Sequence, residues 1–172
     1  VDLYVVNGQE VGSDKFAYKL DWLARLRDWL AAEIGRHPRL VVLGDFNIAP
    51  ADIDVHDPAA WHESVLCSTP ERDALRAIQA LGLVDSFRAL HPQDGRFSWW
   101  DYRQGGFRRN HGLRIDLVLV SESLRPRLAA CCDTLRVSDL VDLGTAGPRE
   151  EVRRAALQDK AAVMALLQGV DA

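Results

Sequence analysis

The stretch Leu40-Val41-Val42-Leu43-Gly44-Asp45-Phe46-Asn47 constrains this chain most. Four apolar residues in a row, two of them β-branched, predict a short strand buried on both faces, because the run is too short for a buried helix and stops at a glycine. Its exit is unusual for a core strand. Asp45 and Asn47 stand two apart, which in an extended chain puts both side chains on one side, and Gly44 allows a close approach of backbone or ligand. A carboxylate beside an amide at the mouth of a buried strand suits metal binding or water activation. The same two residues also suit a plain turn ahead of Pro50, since Asx side chains bond to nearby backbone.

The flanking segments place this strand in a layered α/β arrangement. Residues 1–6 read as a strand that belongs to the later part of a longer chain, and Asn7-Gly8 marks a turn. Ser13 is a helix cap. Phe16, Leu20, Leu23, Leu26, Leu30 and Ile34 then recur at helical spacing, with Gly35 and Pro38 ending the run. Trp22 and Trp29 flank the stripe as packing residues. Strand, helix, strand in this order is a crossover unit. Pro58 opens a short helix over residues 59–64. Thr69-Pro70-Glu71 reads as cap, first-turn proline and acid, starting a helix that turns Leu75, Ile78 and Leu81 inward and ends at Gly82. Phe97-Ser98-Trp99-Trp100-Asp101-Tyr102 and Arg114-Ile115-Asp116-Leu117-Val118-Leu119-Val120 are strand-like, and are expected to pair antiparallel across a Gly-Gly, arginine-rich loop. Residues 149–168 read as a terminal helix.

Composition narrows the partners. With 172 residues and 48% hydrophobic content, the chain suits one soluble domain, and no apolar run is long enough to span a membrane. The opening residues show no signal-peptide pattern. Cys67, Cys131 and Cys132 form neither a disulfide framework nor a zinc pattern, which points to a reducing cytoplasm. The net charge is −4, yet residues 88–127 hold eight arginines, no lysine and four acids. A basic island in an acidic chain suits a phosphate-bearing partner through forked contacts, although a solvated loop face would look the same. Asp116 interrupts an apolar strand, so it either pairs with Arg114 or another donor, or belongs to a site.

Tyr4-Val5-Val6-Asn7-Gly8, Gly44-Asp45-Phe46-Asn47-Ile48-Ala49-Pro50, Phe97-Ser98-Trp99-Trp100-Asp101-Tyr102-Arg103 and Gly112-Leu113-Arg114-Ile115-Asp116 occur in this order. Together they closely resemble the exonuclease III family of abasic-site DNA repair nucleases, over residues 1–132. The resemblance implies the DNase I-like endonuclease/exonuclease/phosphatase fold, a four-layer α/β sandwich of which this chain would hold the C-terminal part, followed by a divergent helical tail over 133–172. It implies Mg²⁺- or Mn²⁺-dependent cleavage of double-stranded DNA beside abasic sites, 3′ to 5′ exonuclease action, and a monomer when complete. It assigns Asp45 to water activation, Asn47 to holding that water or the phosphate, Tyr4 to the phosphate and Asp116 to orienting a histidine near the C-terminus. Asp45 and Asn47 would stand on the metal side. Trp99, Trp100 and Leu113 would line a pocket for the extruded sugar, which excludes a normal nucleotide. Asn7, Arg103, Arg108 and Arg109 would contact the DNA, and His111 at most a phosphate.

The departures bear on activity. The family's early asparagine and metal-binding glutamate are not in this chain, and its Ser-Asp-His ending stands here as Ser138-Asp139-Leu140. Weak or no turnover is therefore expected of the chain as given. Two alternatives are a phosphodiesterase or phosphatase of the same superfamily acting on other phosphates, and a non-catalytic nucleic-acid-binding fragment.

Overall fold

The computed structural model describes residues 1–130. The expected tail over 133–172, the Ser138-Asp139-Leu140 segment and the helix over 149–168 lie outside the described residues. The order of elements is β1 (Asp2–Tyr4), α1 (Asp14–Arg36), β2 (Val41–Asp45), α2 (Thr69–Gln79), β3 (Leu83–Asp85), α3 (Ser86–Leu90), β4 (Trp99–Trp100), α4 (Gly106–Arg109), β5 (Gly112–Leu113) and β6 (Asp116–Ser121). Short 3₁₀ segments occupy Asp52–Asp54, Arg103–Gly105 and Glu122–Ala130.

A four-stranded mixed sheet runs in the order β1-β2-β6-β3, with β1 parallel to β2 and the other pairs antiparallel. The helix α1 makes the crossover between the parallel pair. Its cap is Ser13, whose hydroxyl accepts from the Phe16 amide at 3.1 Å. The apolar stripe does what its spacing predicts: Leu23 and Leu30 join Val5, Val42, Leu83, Leu117 and Leu119, with Leu75 and Ile78 of α2 closing the same core. On the opposite face of the sheet, among the described residues, Leu124 and Leu128 of the 3₁₀ segment pack over Val41, Val84, Val118 and Val120. The strand β2 is thus buried on its helix side and half-buried on the other, not buried on both.

Four further expectations shift. The helix α1 continues through Gly35 to Arg36. The cap of α2 is Ser68, one residue earlier than expected, with Glu71 reaching back to the Ser68 amide in a capping box. Residues 59–64 form turns instead of a helix. The largest change concerns the aromatic strand. β4 does pair antiparallel across the loop, but with β5, through Trp99–Leu113 and Trp100–Gly112. β6 instead crosses into the main sheet between β2 and β3. The chain changes sheets over Arg114 and Ile115, and Ser98 ties the junction by accepting from the amides of both Ile115 and Asp116 at 3.0 Å. Among the described residues no helix is long and apolar enough to cross a membrane.

Candidate active site

Register alone assembles the centre of the site. Tyr4 pairs with Asp45 across β1 and β2, and Asp45 pairs with Asp116 across β2 and β6. Residues facing one another across neighbouring strands lie about 5 Å apart at Cα, so a tyrosine and two carboxylates form one row across three strands. Gly44 makes this row possible. Its φ is +134°, and a Cβ there would lie 2.0 Å from the Leu3 carbonyl oxygen of β1. The close approach expected at this glycine is that of backbone.

Asn47 joins the row by a different route from the one its spacing suggests. Its φ is +49°, so the chain has left the extended conformation. The Asp45 carboxylate accepts from the Asn47 backbone amide at 2.7 Å and from its side-chain amide at 3.1 Å. The turn and the polar cluster are therefore one structure. The Asn47 side chain also donates to the Val5 carbonyl at 2.8 Å, and its oxygen accepts from the Asn7 side chain at 3.3 Å. Asn47 is buried, whereas Asn7 is exposed and Tyr4 is 63% exposed.

Burial pushes the Asp45 carboxyl up from its ordinary value to about 6, helped by the neighbouring Asp116, while the Asn47 amides and the Lys19 charge work against the rise. A carboxylate poised near neutrality can both accept a proton and favour a bound cation. The donor set is all oxygen. Two adjacent carboxylates match the way Mg²⁺ is held, by one or two carboxylates with the remaining positions left to water and substrate phosphate. Among the described residues no cluster of three or more His, Cys, Asp or Glu could hold a metal ion. Two carboxylates side by side leave positions on such a cation for water and substrate phosphate.

The remaining expected residues fall into two groups. Trp99 and Trp100 are half-buried on β4, next to the Ser98 that fixes the Asp116 backbone. Trp99 packs against a cluster containing Leu66, Cys67, Leu113 and Ile115. Leu113 itself is wholly buried within that cluster, across the strand pair from Trp99, so it does not face an open pocket. The Trp100 indole donates to the Asn110 side chain at 3.2 Å. Arg103, Arg108 and Arg109 are exposed, carried by the loop and α4 and not by the carboxylate row. Beside them a cleft of about 640 Å³ is lined in part by His56, Phe97, Arg109 and His111 and includes neither carboxylate. The rings of His56 and His111 stack in it at 4.7 Å.

The arginine island is not uniform. Arg114 does not pair with Asp116. It is buried, and its guanidinium donates to Asp54 at 2.6 Å and Asp85 at 2.8 Å. Arg88 joins them through Asp54 at 2.6 Å. These two arginines brace the point where the chain changes sheets, and their neutralised charges do not add to a phosphate-facing surface. Sequence reasoning also missed Lys19, which is fully buried and bonded to Glu71 at 2.5 Å. Its signal was present: position 19 falls three residues after Phe16 and four before Leu23, on the core-facing stripe.

A layered α/β fold with acidic and amide groups converging from neighbouring strand ends defines the DNase I-like class. Residues 2–139 match the Endonuclease/Exonuclease/phosphatase family, and the chain belongs to that family, in its exonuclease III branch. It is 36% identical over 138 residues to exodeoxyribonuclease III of Haemophilus influenzae, covering 73% of this chain and 52% of that one. Among solved structures it is similar to the Neisseria 3′ phosphatase NExo bound to a product DNA hairpin, at 46% identity and a TM-score of 0.72, covering 73% of this chain and 49% of that one. It is likewise similar to an AP endonuclease from Archaeoglobus fulgidus, at 35% identity and a TM-score of 0.68, with coverage of 73% and 49%. The chain spans about half the length of the curated relatives it matches.

Proposed function

We propose that this chain carries part of the catalytic centre of a DNA phosphodiesterase of the exodeoxyribonuclease III type, acting beside abasic sites and at 3′ ends of duplex DNA. The observation that carries this reading is the row Tyr4, Asp45 and Asp116 across three strands, with Asn47 bonded to Asp45. Asp45 takes the proton of the attacking water. Asn47, fixed by Val5 and Asn7, holds that water or a phosphate oxygen, and the exposed Tyr4 hydroxyl donates to the phosphate. Asp45 and Asn47 would hold Mg²⁺ or Mn²⁺, with Asp116 beside Asp45 in the register. The bound ion would supply neutralisation of charge developing on the phosphoryl oxygens. Trp99 and Trp100 present aromatic surface to a sugar turned out of the helix, and Arg103, Arg108 and Arg109 contact the phosphate backbone on the flank.

Cleavage of duplex DNA containing one abasic site, in Mg²⁺ or Mn²⁺ and at high protein concentration, tests this. Cleavage that requires the added cation and is lost in Asp45→Asn is expected. Cleavage that survives unchanged in Asp45→Asn would sink the assignment.

A further inference from the structure

The ammonium of Lys19 reaches the site from behind the sheet. It donates to the Asn47 carbonyl at 2.7 Å, the Asn7 carbonyl at 3.1 Å and the Glu71 carboxylate at 2.5 Å. Three donors meet three acceptors, so the group is fully satisfied without water. Glu71 is equally saturated, accepting from the Leu66 amide at 3.1 Å, the Ser68 amide at 3.2 Å and the Ser68 hydroxyl at 2.5 Å. Room is kept for the lysine stem: Gly8 has φ +90°, and a Cβ on it would stand 3.1 Å from the Lys19 Cδ.

A buried ion pair is a poor way to gain stability, because well-packed apolar residues of similar volume usually do as well or better. What this pair supplies is a cross-link. The Asn7 and Asn47 side chains meet through a bond of 3.3 Å, just past the usual range for N–H···O. The ammonium bonds to a backbone carbonyl of each. We propose that Lys19 is a positioning residue that holds the Asn7 and Asn47 turns in one mutual geometry, with Glu71 as its fixed counter-charge. The proposal rests on reading those two asparagines as substrate-side groups.

The test compares the ¹⁵N-labelled chain with Lys19→Met and with the double variant Lys19→Met/Glu71→Gln, by thermal melting and hydrogen exchange. The single variant leaves Glu71 buried without its cation, and is expected to lose stability throughout. The double variant removes that charge and should melt cooperatively near the parent. In it the Asn47 backbone amide should exchange about tenfold faster or more, with displaced side-chain resonances of Asn7 and Asn47, while the Leu119 amide keeps its protection, as a local opening requires. Parent-like exchange at Asn47 overturns the proposal. So does exchange at Leu119 rising in step with Asn47, or a double variant without a cooperative melt, since the pair would then serve stability alone. No cleavage is read, so a failed nuclease assay beside the expected exchange pattern removes the reading of the site and leaves the positioning role.

Discussion

Replacing Asp45 by asparagine should change stability with opposite signs on the two sides of the carboxyl's titration. The structure raises this group from 3.8 to about 6, which at ~1.4 kcal/mol per tenfold change is at most about 3 kcal/mol. Asp45 is half-buried, and solvent screening lowers that to about 2 kcal/mol. The sign follows from proton counting. Between the two values the native state binds more protons than the unfolded chain, so stability falls as pH rises through the window, and the cost is complete above about pH 7. Asparagine escapes this cost. It still accepts from the Asn47 backbone amide, but loses the acceptor for the Asn47 side chain, a loss of about 1 kcal/mol. Urea denaturation with EDTA should then find Asp45→Asn more stable than the parent by about 1 kcal/mol near pH 8. Near pH 4 it should be less stable by a similar amount. The same difference at both pH values would refute the reasoning, since it would mean that Asp45 ionises in the folded protein as it does in water.

Three other outcomes follow from the geometry. Arg114→Met strips buried Asp85 of its cationic partner and leaves Asp54 with Arg88 alone, and should cost about 3–5 kcal/mol in urea denaturation; a loss under about 1 kcal/mol would show the cluster to be solvated. Gly44→Ala places a methyl against the Leu3 carbonyl and should release β1, seen as loss of hydrogen-exchange protection at the Val5 amide, which donates to the Asp45 carbonyl at 2.8 Å; retained protection would contradict the close approach. Burial pushes the Cys67 thiol up to about 12, so peptide-mapped alkylation near pH 8 should leave it unlabelled in the folded protein. Labelling at the rate of a free thiol would disprove that.

Several elements are legible in the sequence because their signals are local. The stripe from Phe16 to Ile34, the Ser13 cap and the run ending at Gly44 each depend on neighbours within a few residues. The motifs around Asp45 and Asp116 are legible as a resemblance, and the register places them side by side. Local pattern misleads where a residue has more than one possible partner. Arg114 stands two residues from Asp116, yet the sheet change between them turns it toward Asp54 and Asp85, which are 60 and 29 residues away in sequence. Leu113, expected at a pocket wall, is buried in the cluster against which Trp99 packs. The aromatic strand meets β5 and not the expected β6, because period-two alternation tells which face a residue takes and not which strand it meets.

Local sequence signals specify the secondary structure around the core and the chemical kinds of group available at Asp45, Asn47 and Asp116. Periodicity and capping act through the backbone of adjacent turns, and for that no tertiary information is needed. Only the folded arrangement decided that Tyr4, Asp45 and Asp116 share one row, that the Asp45 carboxyl loses water, and that Lys19 turns inward to bind two carbonyls. Register, desolvation and pairing of buried charge all depend on segments distant in the chain being brought within a few ångströms, and no local pattern specifies that meeting.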